Sequence, residues 1–162
     1  SSPRPTPTGS TPTCDHPAYT DKLTRPLDAA GRFTVDGLVA DASVTHYDAL
    51  LLPGGTVNSD QLRGDPDAVS FVHECVESGK PVAAICHGPW TPIEAGVAEG
   101  RTLTSFPSIR AGLRNTHADV VDQDVAVDGN LTTSRSPDDL PAFCDTNVAK
   151  CESNSTQEEV MA

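Results

Sequence analysis

The segment Lys80-Pro81-Val82-Ala83-Ala84-Ile85-Cys86-His87-Gly88-Pro89-Trp90 decides the fold. Its first half is a short apolar run, typical of a strand that is buried on both faces of a parallel sheet. Cys86-His87-Gly88 ends the strand, and we expect a helix from there to about Gly96. A reactive residue on a sharp strand-to-helix turn needs small neighbours two places before and after it, and Ala84 and Gly88 meet that need. The segment therefore predicts a nucleophile elbow with Cys86 at its tip.

A similar unit precedes this segment. Tyr47-Asp48-Ala49-Leu50-Leu51-Leu52-Pro53-Gly54-Gly55 predicts a buried strand that runs into a loop, where the backbone must come close to something,. Asp65-Pro66 supplies an N-cap and a proline at the first helical position, and Gly79 stands where that helix should end. Val69, Val72 and Val76 share one face of it. Strands that alternate with helices indicate an α/β domain with a mostly parallel sheet covered on both faces.

Shorter strands are predicted after the elbow, at residues 102–105, 125–127 and 131–133,. Asp128-Gly129-Asn130 is a hairpin-type turn that should join the last two of these strands.

Two helix starts are also predicted. Thr91-Pro92-Ile93-Glu94 has the pattern of a capping box, which would delay the regular helix after Cys86,. Ser136-Pro137-Asp138-Asp139 should cap a last helix, with Leu140, Phe143 and Cys144 facing inward.

The composition divides the 162-residue chain into three parts. Residues 1–26 are rich in Pro, Thr and Ser, and they are predicted to form a flexible or divergent N-terminal segment. Residues 27–149 form the ordered domain, and residues 150–162 form a polar C-terminal tail.

Charge and cysteine content narrow the function classes. The formal net charge is -12, which disfavours nucleic acid and anionic membrane surfaces as partners,. No apolar run has the length of a spanning helix and no leader is recognised, so a cytoplasmic location is expected. The five cysteines contain no C-x-x-C pair, which argues against a structural zinc site or a disulfide scaffold. The histidines show no ligand spacing either, and we expect no metal and no cofactor.

The two glycine-containing loops should meet beyond the carboxyl ends of their strands, where ligands bind in such sheets. A thiol at residue 86 would be stabilised as thiolate by the following helix, and His87 is the candidate base. The backbone N–H groups of Gly55 and His87 could form an oxyanion hole. Asp60, in Asn58-Ser59-Asp60, has the ordinary interpretation of a helix cap,.

At these residues the chain resembles the PfpI-like intracellular proteases of the ThiJ/PfpI group, relatives of the class I glutamine amidotransferases. The resemblance covers residues 27–148 and rests on the two strand-loop segments quoted above, on Thr104-Ser105-Phe106-Pro107-Ser108-Ile109 and on Val127-Asp128-Gly129-Asn130. It implies a flavodoxin-like three-layer sandwich. It also implies that Cys86 is the nucleophile, that His87 is its partner, and that Asp60 orients His87, often across a subunit interface.

The activities implied by the resemblance are peptide hydrolysis and, in many relatives, cofactor-independent action on methylglyoxal-type 2-oxoaldehydes or early glycation adducts. Dimers, trimers or hexamers are expected. The chain departs from the family pattern in one respect. Family members begin with a strand-helix-strand unit, which carries a glutamate that contacts the cysteine. Neither this unit nor its glutamate is recognisable before Leu27. The leading hypothesis is thus a cysteine hydrolase with a small carbonyl compound or a peptide as substrate. A glyoxalase or deglycase, and a non-enzymatic thiol sensor or inactive homologue, are the alternatives.

Overall fold

The computed structural model describes residues 35–161, and it describes side chains through residue 154. The helices and strands belong to one compact unit that begins at Val39. The N-terminal segment predicted for residues 1–26 lies outside the described residues. Across residues 35–161, the helices are all too short or too polar to cross a membrane.

The described residues contain six strands. They are β1 (Leu50–Leu52), β2 (Val82–Ile85), β3 (Thr102–Leu103), β4 (Asp119–Val120), β5 (Val125–Asp128) and β6 (Leu131–Ser134). Four of them form a sheet in the order β1-β2-β6-β5, in which β1, β2 and β6 are parallel and β5 is antiparallel to β6. β3 and β4 form a separate parallel pair. The mostly parallel sheet confirms the predicted α/β class.

Within residues 35–161, five α-helices connect and cover the strands. They are α1 (Thr56–Arg63), α2 (Pro66–Glu77), α3 (Trp90–Glu94), α4 (Arg110–Asn115) and α5 (Leu140–Met161). The described residues also contain four short 3-10 helices, two before β1 and two later in the chain, at Val39–Asp41, Val44–His46, Pro107–Ile109 and Pro137–Asp139.

Apolar side chains of β2 alternate between two cores, one on each face of the sheet. Val82 and Ala84 belong to the larger core, which includes residues of α2 and α4. Ala83 and Ile85 belong to the smaller core, where they pack with Phe143 of α5. β2 is fully buried because helices cover it on both faces,, and this places the following residue, Cys86, at the carboxyl edge of the sheet.

Two local signals are confirmed. The Asp65 side chain accepts hydrogen bonds from the backbone N–H groups of Asp67 and Ala68, so it caps α2 as predicted,. The β5-β6 hairpin turns at Gly129, whose φ of 57° lies in the left-handed region that glycine adopts without strain,.

Two expectations about helix starts and faces are wrong. α3 begins at Trp90 and not after a capping box; Thr91 is buried inside the helix, and Pro92 lies within the first turn, where no backbone donor is needed,. Phe143 faces inward, but Cys144 and Leu140 are exposed. Cys144 lies about 100° around the helix from Phe143, and Leu140 is the first residue of α5, at the end of its packed face. The helix also continues to Met161, through the segment that the composition marks as a polar tail.

Candidate active site

Cys86 lies on the tight turn between β2 and α3. Its φ is 63°, a left-handed conformation that a residue with a side chain adopts only at a cost of about 1–2 kcal/mol,. The turn is closed by the backbone N–H of Gly88, which donates to the carbonyl of Ile85 at 2.9 Å. A Cβ at position 88 would lie 2.6 Å from the carbonyl oxygen of Leu52, so only glycine fits there. The strained turn and its glycine match the elbow that the sequence predicts.

His87 follows the cysteine and is almost completely buried, with 6% of its surface exposed. Its Nδ1 lies 3.2 Å from Sγ of Cys86, within the range of a hydrogen bond to sulfur. The imidazole stacks on the ring of Phe106, with centroids 4.8 Å apart, and meets Trp90 edge-on at 5.3 Å. Burial lowers the pKa of His87 below its ordinary value,. The buried imidazole therefore favours the neutral form, which can accept a proton.

The second ring nitrogen contacts a residue that the sequence analysis did not assign. Nε2 of His87 lies 3.1 Å from Oγ of Ser108, which belongs to the short helix Pro107–Ile109. Ser108 is within the segment Thr104-Ser105-Phe106-Pro107-Ser108-Ile109, which carries part of the family resemblance but received no role. Within the part of the chain that the structure describes, no carboxylate hydrogen-bonds to His87.

The glycine loop after β1 packs directly against the elbow. A Cβ at position 54 would lie 2.7 Å from Cβ of Cys86, and Gly55 has a φ of 98° that other residues rarely adopt,. Among the residues described, no acceptor is hydrogen-bonded to the backbone N–H of Gly55 or of His87. These are the two amides predicted to form an oxyanion hole, and that role stays a prediction.

Asp60 lies in the interior of α1 and not at a helix cap. Its carboxylate is 59% exposed and pairs with Arg63, with Nη2 2.6 Å from Oδ1. The Arg63 guanidinium lies over the ring of Trp90, 4.7 Å from its centroid. Within one chain, the described contacts lead from Asp60 to Arg63, from Arg63 to Trp90 and from Trp90 to His87. The predicted role of Asp60 in orienting His87 stays a prediction.

The other described cysteines, and His73, differ from the elbow pair in their surroundings. Burial raises the pKa of the Cys75 thiol, whereas Cys144 and Cys151 are exposed on α5,. His73 makes a hydrogen bond of 3.0 Å from Nδ1 to the carbonyl of Ala95, as a structural histidine does. Among the described residues, no group of three or more His, Cys, Asp or Glu side chains could hold a metal ion.

Comparison with known proteins gives a consistent result. The model of the DJ-1/PfpI family matches residues 19–150. Protein/nucleic acid deglycase 2 of Escherichia coli (strain K12) is 50% identical over 111 residues, which are 68% of this chain and 64% of that protein. The protein named "Putative cysteine protease YraA" of Bacillus subtilis (strain 168) is 43% identical over 109 residues, 67% of this chain and 64% of that protein. The chain therefore spans just under two thirds of the length of these two relatives.

A solved structure shares the fold. A two-domain protein of Anabaena variabilis, which contains DJ-1/ThiJ/PfpI-like and ferritin-like domains, superposes with a TM-score of 0.71 at 40% sequence identity. The matched region is 73% of this chain and 34% of that protein.

Proposed function

The chain belongs to the DJ-1/PfpI family, and from that premise we propose that it is a cysteine-dependent hydrolase in which Cys86 attacks the carbonyl-derived carbon of an early glycation adduct. The observation that carries the proposal is the 3.2 Å contact between Sγ of Cys86 and Nδ1 of His87, on a turn that strains the cysteine backbone at a φ of 63°. A nucleophile and a base within hydrogen-bonding reach are the minimum for this chemistry.

The first step would be proton transfer from the thiol to His87. A neutral imidazole can accept this proton, and burial keeps the pKa of His87 low enough for the neutral form to prevail near pH 7,. The thiolate then attacks the adduct carbon, where a C–S bond forms while the C–N bond breaks, and the amine leaves with a proton from His87. The product of this step is a hemithioacetal on Cys86.

The second step would convert this hemithioacetal into a thioester. A base moves the carbon-bound proton to the neighbouring carbonyl carbon through an enediolate, and His87 is the base beside Cys86. The N–H groups of Gly55 and His87 would hold the oxygen on which negative charge develops,. Water then hydrolyses the thioester, releasing a 2-hydroxy acid and restoring the thiol. The sum is one adduct plus one water, giving a free amine and a hydroxy acid.

Peptide hydrolysis is the second candidate. It shares the covalent attack by Cys86 and leads to an acyl-enzyme that water cleaves, without movement of a carbon-bound proton. The relative of Bacillus subtilis named as a cysteine protease, 43% identical, favours it. The name of the Escherichia coli relative, 50% identical, favours deglycation, and we rank that reaction first.

The proposal includes a homo-oligomer. Asp60 is exposed on α1, so it could approach the surroundings of His87 in a neighbouring subunit if α1 lies at an interface. We place the enzyme in the cytoplasm, and we expect small carbonyl compounds or peptides rather than nucleic acid as substrates, because the net charge of -12 repels polyanions,.

The test uses the purified chain and an N-acetyl-lysine or N-acetyl-cysteine adduct of methylglyoxal, with free amine or thiol and 2-hydroxy acid measured together. The expected result is release of both products in equal amounts, abolished by Cys86→Ser and unaffected by Cys144→Ser. The free 2-oxoaldehyde is held at a fixed concentration while the adduct is varied. A rate that follows only the free aldehyde would indicate a glyoxalase, and cleavage of a fluorogenic peptide alone would indicate a peptidase. A reactive Cys86 without turnover would support the thiol sensor, and an inert Cys86 would support the inactive homologue.

A further inference from the structure

We propose that Ser108 is the positioning residue of His87: its Oγ accepts a hydrogen bond from Nε2–H, which leaves the Nδ1 lone pair directed at Sγ of Cys86. This inference deepens the proposed function, and it rests on the role of Cys86 and His87 given there. It assigns to a neutral hydroxyl the task that a carboxylate performs in the nucleophile–histidine–acid arrangement.

The ring of His87 has little freedom to turn away from Ser108. It is 6% exposed and lies between the ring of Phe106 on one side and the edge of Trp90 on another. Each ring nitrogen has one polar neighbour, Cys86 Sγ at 3.2 Å and Ser108 Oγ at 3.1 Å. Rotation of the ring would remove both contacts at once.

The segment that carries Ser108 is fixed to the elbow by the backbone. The N–H of Phe106 donates to the carbonyl of Cys86 at 3.0 Å, and the N–H of Ile109 donates to the carbonyl of Phe106 at 3.1 Å. Ile109 is buried, which fixes the far end of the short helix Pro107–Ile109. These backbone hydrogen bonds hold Ser108 close to His87 and connect its segment to the turn at Cys86.

The direction of this hydrogen bond decides whether His87 can act as a base. A neutral imidazole carries one N–H and one lone pair. If Nε2 carries the hydrogen and donates it to Ser108, Nδ1 can accept the thiol proton. Once Nδ1 is protonated, Nε2–H still donates to Ser108, so the proton moves between Sγ and Nδ1 without rearrangement at Nε2. Ser108 is exposed, and its own hydroxyl hydrogen can be donated to solvent.

A hydroxyl orients the imidazole without adding a negative charge. Two charged groups near His87 are already paired: Arg63, over Trp90, with Asp60, and Arg110, two residues after Ser108, with Asp122. The ionisable group in contact with the imidazole is Cys86 itself. The imidazolium should therefore gain less stabilisation than it would beside a carboxylate, and a carboxylate introduced at position 108 should increase it.

The experiment measures the rate of iodoacetamide alkylation of Cys86 against pH, resolved by mass spectrometry, together with kcat/KM for the glycation adduct. The variants are Ser108→Ala, Ser108→Thr and Ser108→Asp. Ser153→Ala is the control, because Ser153 is exposed on α5 and bonds only to the carbonyl of Ala149. Circular dichroism and thermal unfolding confirm that each variant is folded.

We expect Ser108→Ala to lower Cys86 alkylation at pH 7 and kcat/KM by about fivefold, the effect of one lost hydrogen bond of ordinary strength. Ser108→Thr, which keeps the hydroxyl, should recover most of this loss. Ser108→Asp should lower the midpoint of Cys86 alkylation by about one pH unit. Ser153→Ala should behave as the wild type.

Three results would overturn the inference. They are an unchanged midpoint and rate in Ser108→Ala, equal losses in Ser108→Ala and Ser108→Thr, or a midpoint that Ser108→Asp leaves unmoved. These outcomes differ from failure of the proposed function, in which Cys86 of the wild type itself would alkylate no faster than the other cysteines and no turnover would be seen.

Discussion

Gly54 and Cys86 are so close that no side chain fits between them. A methyl group at position 54 would lie 2.7 Å from Cβ of Cys86 and 3.3 Å from its Sγ. The glycine after β1 and the cysteine after β2 thus form one packed unit at the carboxyl edge of the sheet, where the candidate substrate carbon must arrive.

Substitution of Gly54 by alanine should displace the elbow. The new Cβ would also lie 2.9 Å from the carbonyl oxygen of Ile85, and this backbone cannot move easily. We expect the free energy of unfolding to fall by about 1–3 kcal/mol, the usual cost of overpacking. We also expect the variant to lose the rapid alkylation of Cys86. Urea unfolding and site-resolved alkylation measure the two effects.

Gly112→Ala provides the matched control. A Cβ at position 112 would make only an ordinary contact, 3.5 Å from Cδ1 of Ile93. Because position 112 lies within α4, alanine there should stabilise the chain by about 0.5–1 kcal/mol. Equal behaviour of the two variants would contradict the close packing of Gly54 against Cys86.

The pH dependence of turnover should reflect the buried imidazole of His87. Desolvation lowers the pKa of His87,. The imidazole therefore stays neutral, and able to accept a proton, at pH values somewhat below the ordinary pKa of histidine. The acid limb of kcat/KM should therefore have its midpoint below about pH 6.5, the reference value for histidine. NMR titration of the His87 ring protons should give a matching midpoint. An acid limb at or above this reference value would show that the imidazole is not desolvated as described.

Arg135, which follows β6, should stabilise the fold through Asp139. Arg135 donates to both oxygens of Asp139, which is 8% exposed, and it also pairs with Asp122 and Asp124. Arg135→Met would leave the Asp139 carboxylate buried without its cation, so we expect a lower Tm at pH 7. Arg114→Met, at an exposed position of α4, is the control and should change Tm little.

The stabilisation by Arg135 should disappear in acid. The hydrogen bond from Arg135 lowers the pKa of Asp139 below its ordinary value. The carboxylate therefore favours the folded state above the unfolded pKa of about 3.9. This contribution is lost as the pH falls through the lower pKa that Asp139 has in the folded state. The difference in Tm between wild type and Arg135→Met should shrink over that range, and a difference that is constant from pH 7 to pH 2 would contradict the ion pair.

The interface role of Asp60 predicts a dependence of activity on assembly. Within one chain Asp60 pairs with Arg63 and makes no contact with His87. Asp60→Asn should therefore reduce kcat/KM in the oligomer while leaving the Cys86–His87 contact of each chain intact. Sedimentation and activity are measured on the same samples over a range of protein concentrations. Full activity of a dilute monomer, or of Asp60→Asn, would rule out this role.

The elbow could be predicted because its signals are local. Ala84 and Gly88 mark the turn four positions apart, and the short apolar run before Cys86 is typical of a buried strand,. The Asp65 cap and the turn at Gly129 are equally local.

Ser108 and helix α1 could not be predicted in the same way. Ser108 is 21 residues from His87, and their contact depends on the path of the chain through β3 and the segment that follows it. α1 contains Thr, Val, Asn, Ser and Asp, which are weak helix formers, so its helical form depends on packing against α3 and not on propensity,. The capping pattern at Thr91 was misleading because the helix after the turn at Cys86 already begins at Trp90, two residues before Pro92, the predicted first helical residue.

The central claim is that the turn and His87 make Cys86 the reactive thiol of this chain. The most direct test is a single competitive alkylation at pH 7 in which mass spectrometry follows all five cysteines of the wild type and of His87→Ala. The account predicts that Cys86 is modified at least about tenfold faster than the other cysteines, including the exposed Cys144 and Cys151, and that His87→Ala removes most of this advantage,. A Cys86 that reacts no faster than Cys144, or one whose rate does not change in His87→Ala, would contradict it.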